Sequence, residues 1–530
     1  MTTPLALLVL LAPALLVGVT VAASRRPGVH PAGVIRLATV ATWSGVAVAV
    51  AAAATTAVAG TTTSPTLGAA GLGLAVRLDG LSIAMFVMVA LLAVVIVRYS
   101  VSYLDGDPGH GRFLGALAAT VAAVEVLVLA GNLAQLAAGW VLTSLALHHL
   151  LLFYGDRPRA RIAARKKFVT ARIADVFLVG ACVALYAFAG TGDLGTVFDR
   201  AAAAVAGADV PALLVLAAVS LAVAALVKSA QMPTHSWLIE VMESPTPVSA
   251  LLHAGILNAG PFLVLRMAFV VDGTPSAGAL LLVVGGATAV LASVALLSQP
   301  SVKAGLAYSS VAHMGFMLFV CGMGLYPAAL LHLVAHSFYK AHAFLSSGSV
   351  VDEARTAGVR VPRRLGSPAR IVASLLVAAG VFAAFAWVWR VDVLADPMLV
   401  AMGAMLVLGT TQLMAPAVDA YGRGRDVLRV AGMAAGVTAA FFTLEAGAHH
   451  LLASTLPEEV ARPAALVAIV AAVITVMAVV IGLQIVEPAR PSGPRRRALA
   501  VHLRNGLYAG AVLDRLVGAL RLPDRAGARP

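Results

Sequence analysis

Long runs of apolar residues alternate with short polar segments along the whole chain. Each run covers roughly 20 residues, which is the length that an α-helix needs to cross the hydrocarbon core of a bilayer. The pattern therefore predicts an all-α polytopic membrane protein with about 15 transmembrane helices. The candidate spans lie near residues 4–23, 35–59, 79–98, 113–131, 133–154, 168–189, 211–230, 247–270, 277–298, 304–324, 327–349, 369–390, 396–418, 429–450 and 463–485.

One of these spans is interrupted by proline. Lys228 closes the apolar run that begins near residue 211, and Pro233 follows in the next polar segment. Proline has no backbone N–H and breaks a helix interior, so we expect a discontinuous helix near 211–243. Broken helices are tolerated in a membrane where they line a hydrated cavity or are buried in protein.

The composition excludes several other classes of protein. The 530 residues are 61% hydrophobic and only 12% charged, with a mean hydropathy of +0.95, whereas soluble domains carry about 25% charged residues. These values exclude a soluble enzyme, a disordered scaffold and a nucleic-acid-binding domain. The formal net charge of +13 is explained by the excess of Lys and Arg that membrane proteins retain in cytoplasmic loops.

The distribution of basic residues between the spans predicts the orientation in a cell membrane. Loops on one side are rich in Arg and Lys, whereas the loops on the other side carry few cations. By the positive-inside rule, the N-terminus lies outside and the C-terminus lies in the cytoplasm. An odd number of spans also places the termini on opposite sides. The basic residues are Arg25, Arg26, Arg157, Arg159, Arg161, Arg165, Lys166, Lys167, Arg360, Arg363, Arg364, Arg423, Arg425, Arg429, Arg490 and Arg495 to Arg497.

The two ends of the chain carry further signals. The first run, 4–23, has no basic leader, so we interpret it as a helix rather than a cleaved signal peptide. Residues 495–521 alternate basic residues with Leu and Val. This pattern favours an amphipathic cytoplasmic helix that lies on the membrane or on a partner.

Ionisable residues inside the spans are the strongest functional signal, because each is costly to bury in a membrane and usually marks a pathway. Lys228 adjoins the helix break, Glu240 and Glu243 follow it, and His253 lies in the next span. The alternatives are that Lys228 extends to the interface and that His253 is a hydrogen-bonded packing residue.

A second group of ionisable residues lies between Leu330 and Ser349. His332, His336 and Lys340 are four residues apart and share one helix face. Histidine passes protons through either ring nitrogen near neutral pH, so this file predicts a proton relay, which His313 on the preceding span could extend. Structural hydrogen bonding and a metal site are the alternatives, although no carboxylate completes a metal site nearby.

Two segments around these residues resemble the antiporter-like subunits of respiratory complex I and of Mrp cation antiporters. They are KSAQMPTHSWLIEVMESPTPVSALLHAG and VKAGLAYSSVAHMGFMLF followed by LLHLVAHSFYKAHAFLSSGSV. The segments KKFVTARIADVFL and RLDGLSIAM are similar to the fifth-subunit branch. Within this superfamily, HSWLIEVME and SALLHAGILNAGPFLVLR look most like the DabB family, the membrane subunits of inorganic-carbon accumulation complexes.

The resemblance covers roughly residues 75–350 and implies an ion-conducting role. It implies that Lys228 is the broken-helix lysine with His253 as its neighbour, that His332, His336 and Lys340 form the central relay, and that Arg172 and Asp175 are the family's pair in the sixth span. It further implies a peripheral DabA-type partner that resembles a zinc β-carbonic anhydrase. In such a complex, influx of H+ or Na+ drives hydration of CO2 to bicarbonate by the partner, so no cofactor is expected in this chain.

The resemblance also suggests a division of the chain. We expect N-terminal helices over 1–74, an antiporter-like core over 75–350, C-terminal helices over 351–486 and a basic tail over 487–530.

The chain departs from the antiporter pattern in two places. Complex I and Mrp subunits place a glutamate directly after the Gly-Trp of the fifth span, where this chain has Val141. Glu125, one span earlier, is a candidate substitute carboxylate, and a buried protonated structural glutamate is the alternative. The last four spans contain no internal lysine, so the usual second half-channel is absent or reshaped.

Three other functions compete with a carbon-accumulating complex. A complex I or Mrp antiporter subunit would share the motifs but would carry the missing glutamate and downstream lysine. A membrane anchor for a soluble enzyme would not require the His–His–Lys file. An autonomous enzyme would require a cofactor fingerprint or a nucleophile constellation, and none is visible in the sequence.

Overall fold

The computed structural model describes residues 3–25, 28–207, 210–348, 368–391, 396–421, 424–457, 462–486 and 493–518. Within these residues the chain forms helices joined by short connections. A 3-10 turn, Pro4–Leu10, leads into the first helix. The helices up to the break are α1 Leu11–Arg25, α2 Ala32–Ala59, α3 Gly80–Tyr103, α4 His110–Val128, α5 Leu133–Leu151, α6 Pro158–Ala189, α7 Leu194–Ala206 and α8 Ala212–Lys228.

Short helices follow the expected break. The apolar helix α8 ends at Lys228, and the chain becomes helical again at Ser236, as the proline predicted. A second break, at Gly255, interrupts the next span and was not predicted. The segments are α9 Ser236–Glu240, a 3-10 turn Val241–Glu243, α10 Thr246–Ala254, a 3-10 turn Ile256–Asn258, α11 Ala259–Arg266 and α12 Ala268–Val271.

Long helices make up most of the remaining chain, and two short strand pairs cap the connection between α2 and α3. Strand β1 Thr62–Thr63 pairs antiparallel with β4 Arg77–Leu78, and β2 Leu67–Ala69 pairs with β3 Leu72–Leu74. The remaining helices are α13 Pro275–Leu296, α14 Val302–Met323, α15 Tyr326–Leu345, α16 Pro368–Val388, α17 Pro397–Tyr421, α18 Gly424–Leu452, α19 Ala464–Val486, α20 Pro494–Arg504 and α21 Gly510–Leu516.

Each of the fifteen predicted apolar runs coincides with a helix or with the pair α10–α11. In the described part of the chain, ten helical segments are long and apolar enough to cross a membrane. The all-α membrane fold is therefore confirmed, whereas the count of fifteen spans stays a prediction. The four proposed divisions also stay predictions, and residues 351–367, 487–492 and 519–530 lie outside the described part, with Arg360, Arg363, Arg364 and Arg490 among them.

The centre of the bundle is formed by the helices that carry the motifs. In the segment Thr246–Arg266, 94% of the most apolar window is buried inside the protein, against 11% in Ala464–Gln484. The last helices thus expose most of their apolar surface to lipid, while α10 and α11 are enclosed by protein. Ionisable residues on these two helices are shielded from lipid.

Polar contacts connect loops at the two ends of the bundle. At the start of α13, Asp272 accepts hydrogen bonds from Arg462 (2.5 Å) and from the Tyr326 hydroxyl (2.8 Å). At the opposite end of α13, Arg504 donates to the Ser298 carbonyl (3.4 Å). The second end carries the basic connections that the charge pattern assigns to the cytoplasm. The alternation of helices agrees with that assignment, and the absolute orientation stays a prediction.

Two facing rows of glycine bring α13 and α14 into backbone contact. A Cβ on Gly285 would lie 2.8 Å from the Gly315 carbonyl oxygen, and a Cβ on Gly322 would lie 3.1 Å from the Gly278 carbonyl oxygen. Glycine is required at these positions because the two backbones approach too closely for a side chain. The dense Ala and Gly content of residues 281–297 is the sequence signal for this packing.

The C-terminal tail folds into two short helices rather than the single amphipathic helix expected over 495–521. Helix α20 ends at Arg504, and Leu507, with φ 54° and ψ 24°, turns the chain before α21 begins. The tail lies on the protein: the Cβ position of Gly506 is 2.6 Å from the Tyr308 hydroxyl. The alternation of Leu and Val with basic residues therefore reflects packing on the same chain.

Candidate functional site

Lys228 is buried at the point where α8 ends. Its side chain is 6% exposed, and its Nζ lies 3.4 Å from the Trp140 carbonyl oxygen and 4.4 Å from the centroid of the Trp140 ring. Trp140 is fully buried on α5, directly before Val141. An aromatic face attracts a cation, more strongly in a desolvated site. The tryptophan that precedes Val141 therefore faces the lysine.

A close ion pair lies next to this lysine. On α6, Arg172 Nη2 lies 2.6 Å from Asp175 Oδ2, without the geometry of a hydrogen bond. Both residues act electrostatically on Lys228, and Lys167 on the same helix also interacts with it. The structure thus brings the predicted pair close to Lys228. The Asp175 carboxylate is already paired with Arg172.

Glu125 faces away from this pair. The carboxyl group is 1% exposed, and its Oε1 lies 3.8 Å from the position that a Cβ would take on Gly45 of α2. No charged group acts on this carboxyl group in the part of the chain that the structure describes. Lys228 is not among the groups that act on it, and the expectation that Glu125 replaces the missing glutamate stays a prediction. The helix is apolar on all sides, so its sequence did not show which side faces the lysine.

The second helix break is connected to the relay helix by an asparagine. Asn258 donates to the Ala254 carbonyl (2.8 Å) and to the Ser337 hydroxyl of α15 (2.7 Å). Ser229, next to Lys228, donates to the Leu257 carbonyl (3.1 Å). These bonds satisfy carbonyls that the breaks leave free and hold the two broken segments against α15. A polar Asn within an apolar run was the available sequence signal.

His253 lies between the break and the relay helix. Its ring stacks on Phe344 of α15, with centroids 4.3 Å apart and planes inclined by 16°. The residue is fully buried, and neither ring nitrogen has a hydrogen-bond partner among the described residues. Buried polar groups normally find partners, so the packing alternative explains the position of the ring but not its two buried, unpartnered nitrogens.

The predicted His–His–Lys file is present on α15 and is extended by His313. His313 Nδ1 lies 2.9 Å from His332 Nε2, and the His313 ring centroid lies 5.2 Å from that of His336. Lys340 donates to the Leu306 carbonyl (3.1 Å) and acts electrostatically on His253, His313 and His336. The structure therefore brings these residues together into one continuous group that reaches from α10 to α14.

One end of this group opens into an apolar cavity of about 660 Å³. Helices α13, α14 and α15 form one wall, and α17, α18 and α19 form the other. The His313 and His332 pair lies on the first wall. The opposite wall offers Thr410, Gln412 and Gln484 rather than a lysine, in agreement with the missing lysine in the last spans.

Glu240 pairs with Lys166 just after the first helix break. Lys166 Nζ lies 2.5 Å from Glu240 Oε1 and also pairs with Asp514 of α21. The lysine side chain is 1% exposed, whereas Glu240 and Asp514 are 37% and 28% exposed. Glu243 lies in the following 3-10 turn, and its side chain is outside the described part. Through Lys166, Glu240 of the broken segment is thus connected to Asp514 of the C-terminal tail.

A further buried ion pair fixes the start of α3 to the end of α11. Arg266 donates to both carboxylate oxygens of Asp79, at 2.7 and 3.3 Å, and to the Ser82 hydroxyl at 2.6 Å. Burial opposes ionisation of Asp79, but the guanidinium groups of Arg266 and Arg77 hold the pKa of this carboxyl group well below its usual range. The partners are too far apart in sequence for the pairing to be predicted.

The described residues contain no group of three or more His, Cys, Asp and Glu side chains that could hold a metal ion. Cys182 and Cys321 are separate, buried free thiols. The arrangement can hold and transfer a cation or proton along titratable side chains.

Two family models match the chain. The first, described as NADH:quinone oxidoreductase/Mrp antiporter, TM, covers residues 130–386. The second, described as NADH-ubiquinone oxidoreductase (complex I), chain 5 N-terminus, covers residues 66–114. Together, the two matches include the segments on which the sequence resemblance depends.

Curated relatives share substantial identity with the chain. The probable inorganic carbon transporter subunit DabB2 of Halothiobacillus neapolitanus is 38% identical over 471 residues, which cover 87% of this chain and 83% of the relative. The probable inorganic carbon transporter subunit DabB of Hydrogenovibrio crunogenus is 43% identical over 278 residues, 52% of this chain and 53% of the relative. NADH-quinone oxidoreductase subunit L of Escherichia coli is 38% identical over 287 residues, 54% and 46% of the two chains.

Solved structures share the fold. The Mrp complex from Dietzia sp. contains a chain with a TM-score of 0.62 and 25% identity, and the match covers 98% of this protein but only 60% of that chain. An archaeal respiratory complex, the membrane-bound sulfane sulfur reductase, contains a chain with a TM-score of 0.58 and 15% identity, which shows the fold alone. The antiporter-like architecture is thus common to several membrane complexes.

Proposed function

Since the chain belongs to the DabB family of inorganic carbon transporter subunits, we propose that it conducts H+ across the plasma membrane and couples this influx to bicarbonate accumulation. The observation that carries the proposal is the continuous group of buried titratable residues on both sides of a broken helix. Ionisable residues are costly within a membrane and are retained where they serve a pathway. Na+ is the alternative ion, and the N-terminus is proposed to lie outside.

The proposed route begins at Lys228, where the helix break frees the surrounding backbone groups. From there a proton would pass by His253 to Lys340 and His336, and reach the His313 and His332 pair at the large cavity. Three contacts support the order from His253 onward: the stacking of His253 on the relay helix, the electrostatic contact of Lys340 with three of the histidines, and the 2.9 Å approach of His313 to His332.

We further propose that the chemistry of CO2 hydration resides on a DabA-type peripheral partner with a catalytic zinc ion. The family membership supports such a complex, and the present chain supplies ion conduction. The cytoplasmic end, with the Lys166 and Asp514 contact, would face the partner in the predicted orientation.

A second candidate function is that of an antiporter-like subunit in a respiratory or Mrp complex. The matched family models favour it. The substitution of Val141 for the glutamate after Gly-Trp weighs against it, because an uncharged residue cannot pair with Lys228.

The experiment that tests the leading proposal is growth rescue. A host that lacks carbonic anhydrase would express this chain together with its DabA-type partner and would be grown at ambient CO2. We expect rescue by the pair, no rescue by this chain alone, and loss of bicarbonate uptake after addition of a protonophore. Rescue by this chain alone would contradict the two-protein proposal, and uptake that requires Na+ but resists the protonophore would replace H+ by Na+.

A matched pair of lysine variants tests the role of Lys228. Lys228→Met should abolish uptake while the complex still assembles, because it removes the titratable amine and keeps the apolar stem. Lys303→Met is the control, since Lys303 is half-buried at the start of α14 and donates to Thr246 (3.2 Å). Equal uptake in the two variants would show that Lys228 has no place in the pathway.

A further inference from the structure

Lysine is rare in this chain and is mostly buried. Of 37 basic residues other than histidine, five are lysine, and four of these are among the buried residues. Arginine remains charged at every pH a protein meets, whereas lysine can lose its proton when it is buried. The chain therefore uses arginine for surface charge and places lysine where a titratable amine is enclosed. The lysines are Lys166, Lys167, Lys228, Lys303 and Lys340.

Lys167 is the one buried lysine with neither a carboxylate partner nor a place in the predicted pathway. Its side chain is 4% exposed, and its Nζ donates to the carbonyl (2.5 Å) and hydroxyl (2.9 Å) oxygens of Ser144 on α5. Its neighbour Lys166 is held by two carboxylates instead. The two adjacent lysines thus point to different surroundings, which a basic run at the start of a helix does not reveal.

Lys167 and Lys228 meet the same face of α5. Lys228 Nζ donates to the Trp140 carbonyl, and Lys167 Nζ donates to the Ser144 carbonyl. These carbonyls belong to residues four apart, so they are separated by about 6 Å along the helix axis. Both lysines also line one enclosed cavity of about 10 Å³, close to the volume that one water molecule requires.

The charges around this cavity do not balance two ammonium groups. On α6, Arg172 and Asp175 act on both lysines and form an ion pair with each other. On α5, His148 lies within electrostatic range of Lys167. No further charged group on α5, α6 or α8 acts on either lysine among the described residues. A second positive charge in this cavity therefore costs more than the first.

We propose that Lys167 is a positioning residue of the ion pathway: it forms a lysine pair with Lys228 across a water-sized cavity and thereby promotes release of the Lys228 proton. The Lys167 and Lys228 amines would then share one positive charge. This pair would take the place of the glutamate–lysine pair that the resemblance to antiporter subunits implies. Only the transport measurement for this proposal depends on the proposed function, in which Lys228 conducts protons. The titration of the two amines is a property of the folded chain.

The primary test is a titration of the lysine amines. The full chain, labelled with 13C and 15N in lysine and reconstituted in lipid nanodiscs, would be followed by NMR over a range of pH, with the five signals assigned by single substitutions. In Lys167→Met the titration midpoint of Lys228 should move to higher pH by roughly one to two units, if the spacing of the two contacted carbonyls, about 6 Å, is taken as the separation of the charges and the effective dielectric constant is about 20. An unchanged Lys228 midpoint would overturn the proposal.

Two further variants separate the charge of Lys167 from its packing. Ser144→Ala keeps both amines but removes one anchor of Lys167, so the Lys228 midpoint should move by less than half as much as in Lys167→Met. Lys303→Met, remote from the cavity, should leave the midpoint unchanged. A midpoint that moves equally in all three variants would indicate a general loss of structure and would overturn the specific role of Lys167.

A transport measurement distinguishes this proposal from the proposed function. In proteoliposomes that contain the complex, the pH at which flux falls to half should rise by the same one to two units in Lys167→Met. A shifted titration with no flux in the wild-type protein would overturn proton conduction and retain the lysine pair. Flux with an unshifted titration would retain conduction and overturn the pair.

Discussion

The contact of Lys166 with two carboxylates makes a quantitative prediction about the tail. The lysine is 1% exposed and is shared by Glu240 of the broken segment and Asp514 of α21. Each carboxylate is partly exposed, so Glu240→Gln or Asp514→Asn alone should lower the free energy of unfolding by about 1 kcal/mol. In each case the other carboxylate still compensates the buried ammonium group.

The double variant should cost far more than the sum of the two single variants. With neither carboxylate present, the Lys166 ammonium is buried without a partner, and such a charge destabilises by about 3–5 kcal/mol. The expected coupling energy is therefore about 1–3 kcal/mol beyond additivity. Adding Lys166→Met to the double variant should recover much of this loss, because the unpaired charge is then removed.

The measurement is equilibrium unfolding of the purified chain in mixed micelles, followed by tryptophan fluorescence, together with limited proteolysis of the tail. Asp156→Asn is the matched control, since Asp156 is exposed at the same end of the bundle, and it should change stability by less than about 0.5 kcal/mol. Additive effects of the two carboxylate variants, within about 0.5 kcal/mol, would refute the shared buried ion pair.

Three further variants test the geometry of the site. Glu125→Gln should leave flux within about twofold of the wild-type value in proteoliposomes, since its carboxyl group faces α2; a loss as severe as in Lys228→Met would contradict this. Trp140→Leu should reduce flux about tenfold or more, because it removes a cation–π contact of about 2 kcal/mol, and unchanged flux would show that the indole does not hold Lys228. Asp79→Asn should lower the free energy of unfolding by about 3–5 kcal/mol by leaving Arg266 buried without a carboxylate; a loss below 1 kcal/mol in micelle unfolding would contradict the pairing.

The sequence predicts the fold of this protein well because the membrane imposes a simple rule. Every apolar run of spanning length is helical, since a backbone in hydrocarbon must satisfy its own hydrogen bonds. Pro233 likewise marks the first break. The second break, at Gly255, has no such signal, because it depends on the tertiary bonds of Asn258.

The site is less predictable, since it depends on where helices face each other. His332, His336 and Lys340 share a face by their spacing alone, so their grouping follows from the sequence. Lys167 and Glu125 are different: one lies in a basic run and the other in a uniformly apolar helix. Their partners are set by the rotation of α6 and α4 within the bundle, which no periodicity in those segments reveals.

The glycine contact between α13 and α14 has a consequence for how the protein moves. A helix pair whose backbones touch at Gly285 and Gly315 cannot slide or rotate without a steric clash, since packed interfaces shift between discrete arrangements rather than deforming continuously. His313, on α14, therefore belongs to a rigid pair of helices. Transport steps must then be carried by side-chain rotations, water and the broken segments, so spin labels on α13 and α14 should report one unchanging distance throughout turnover.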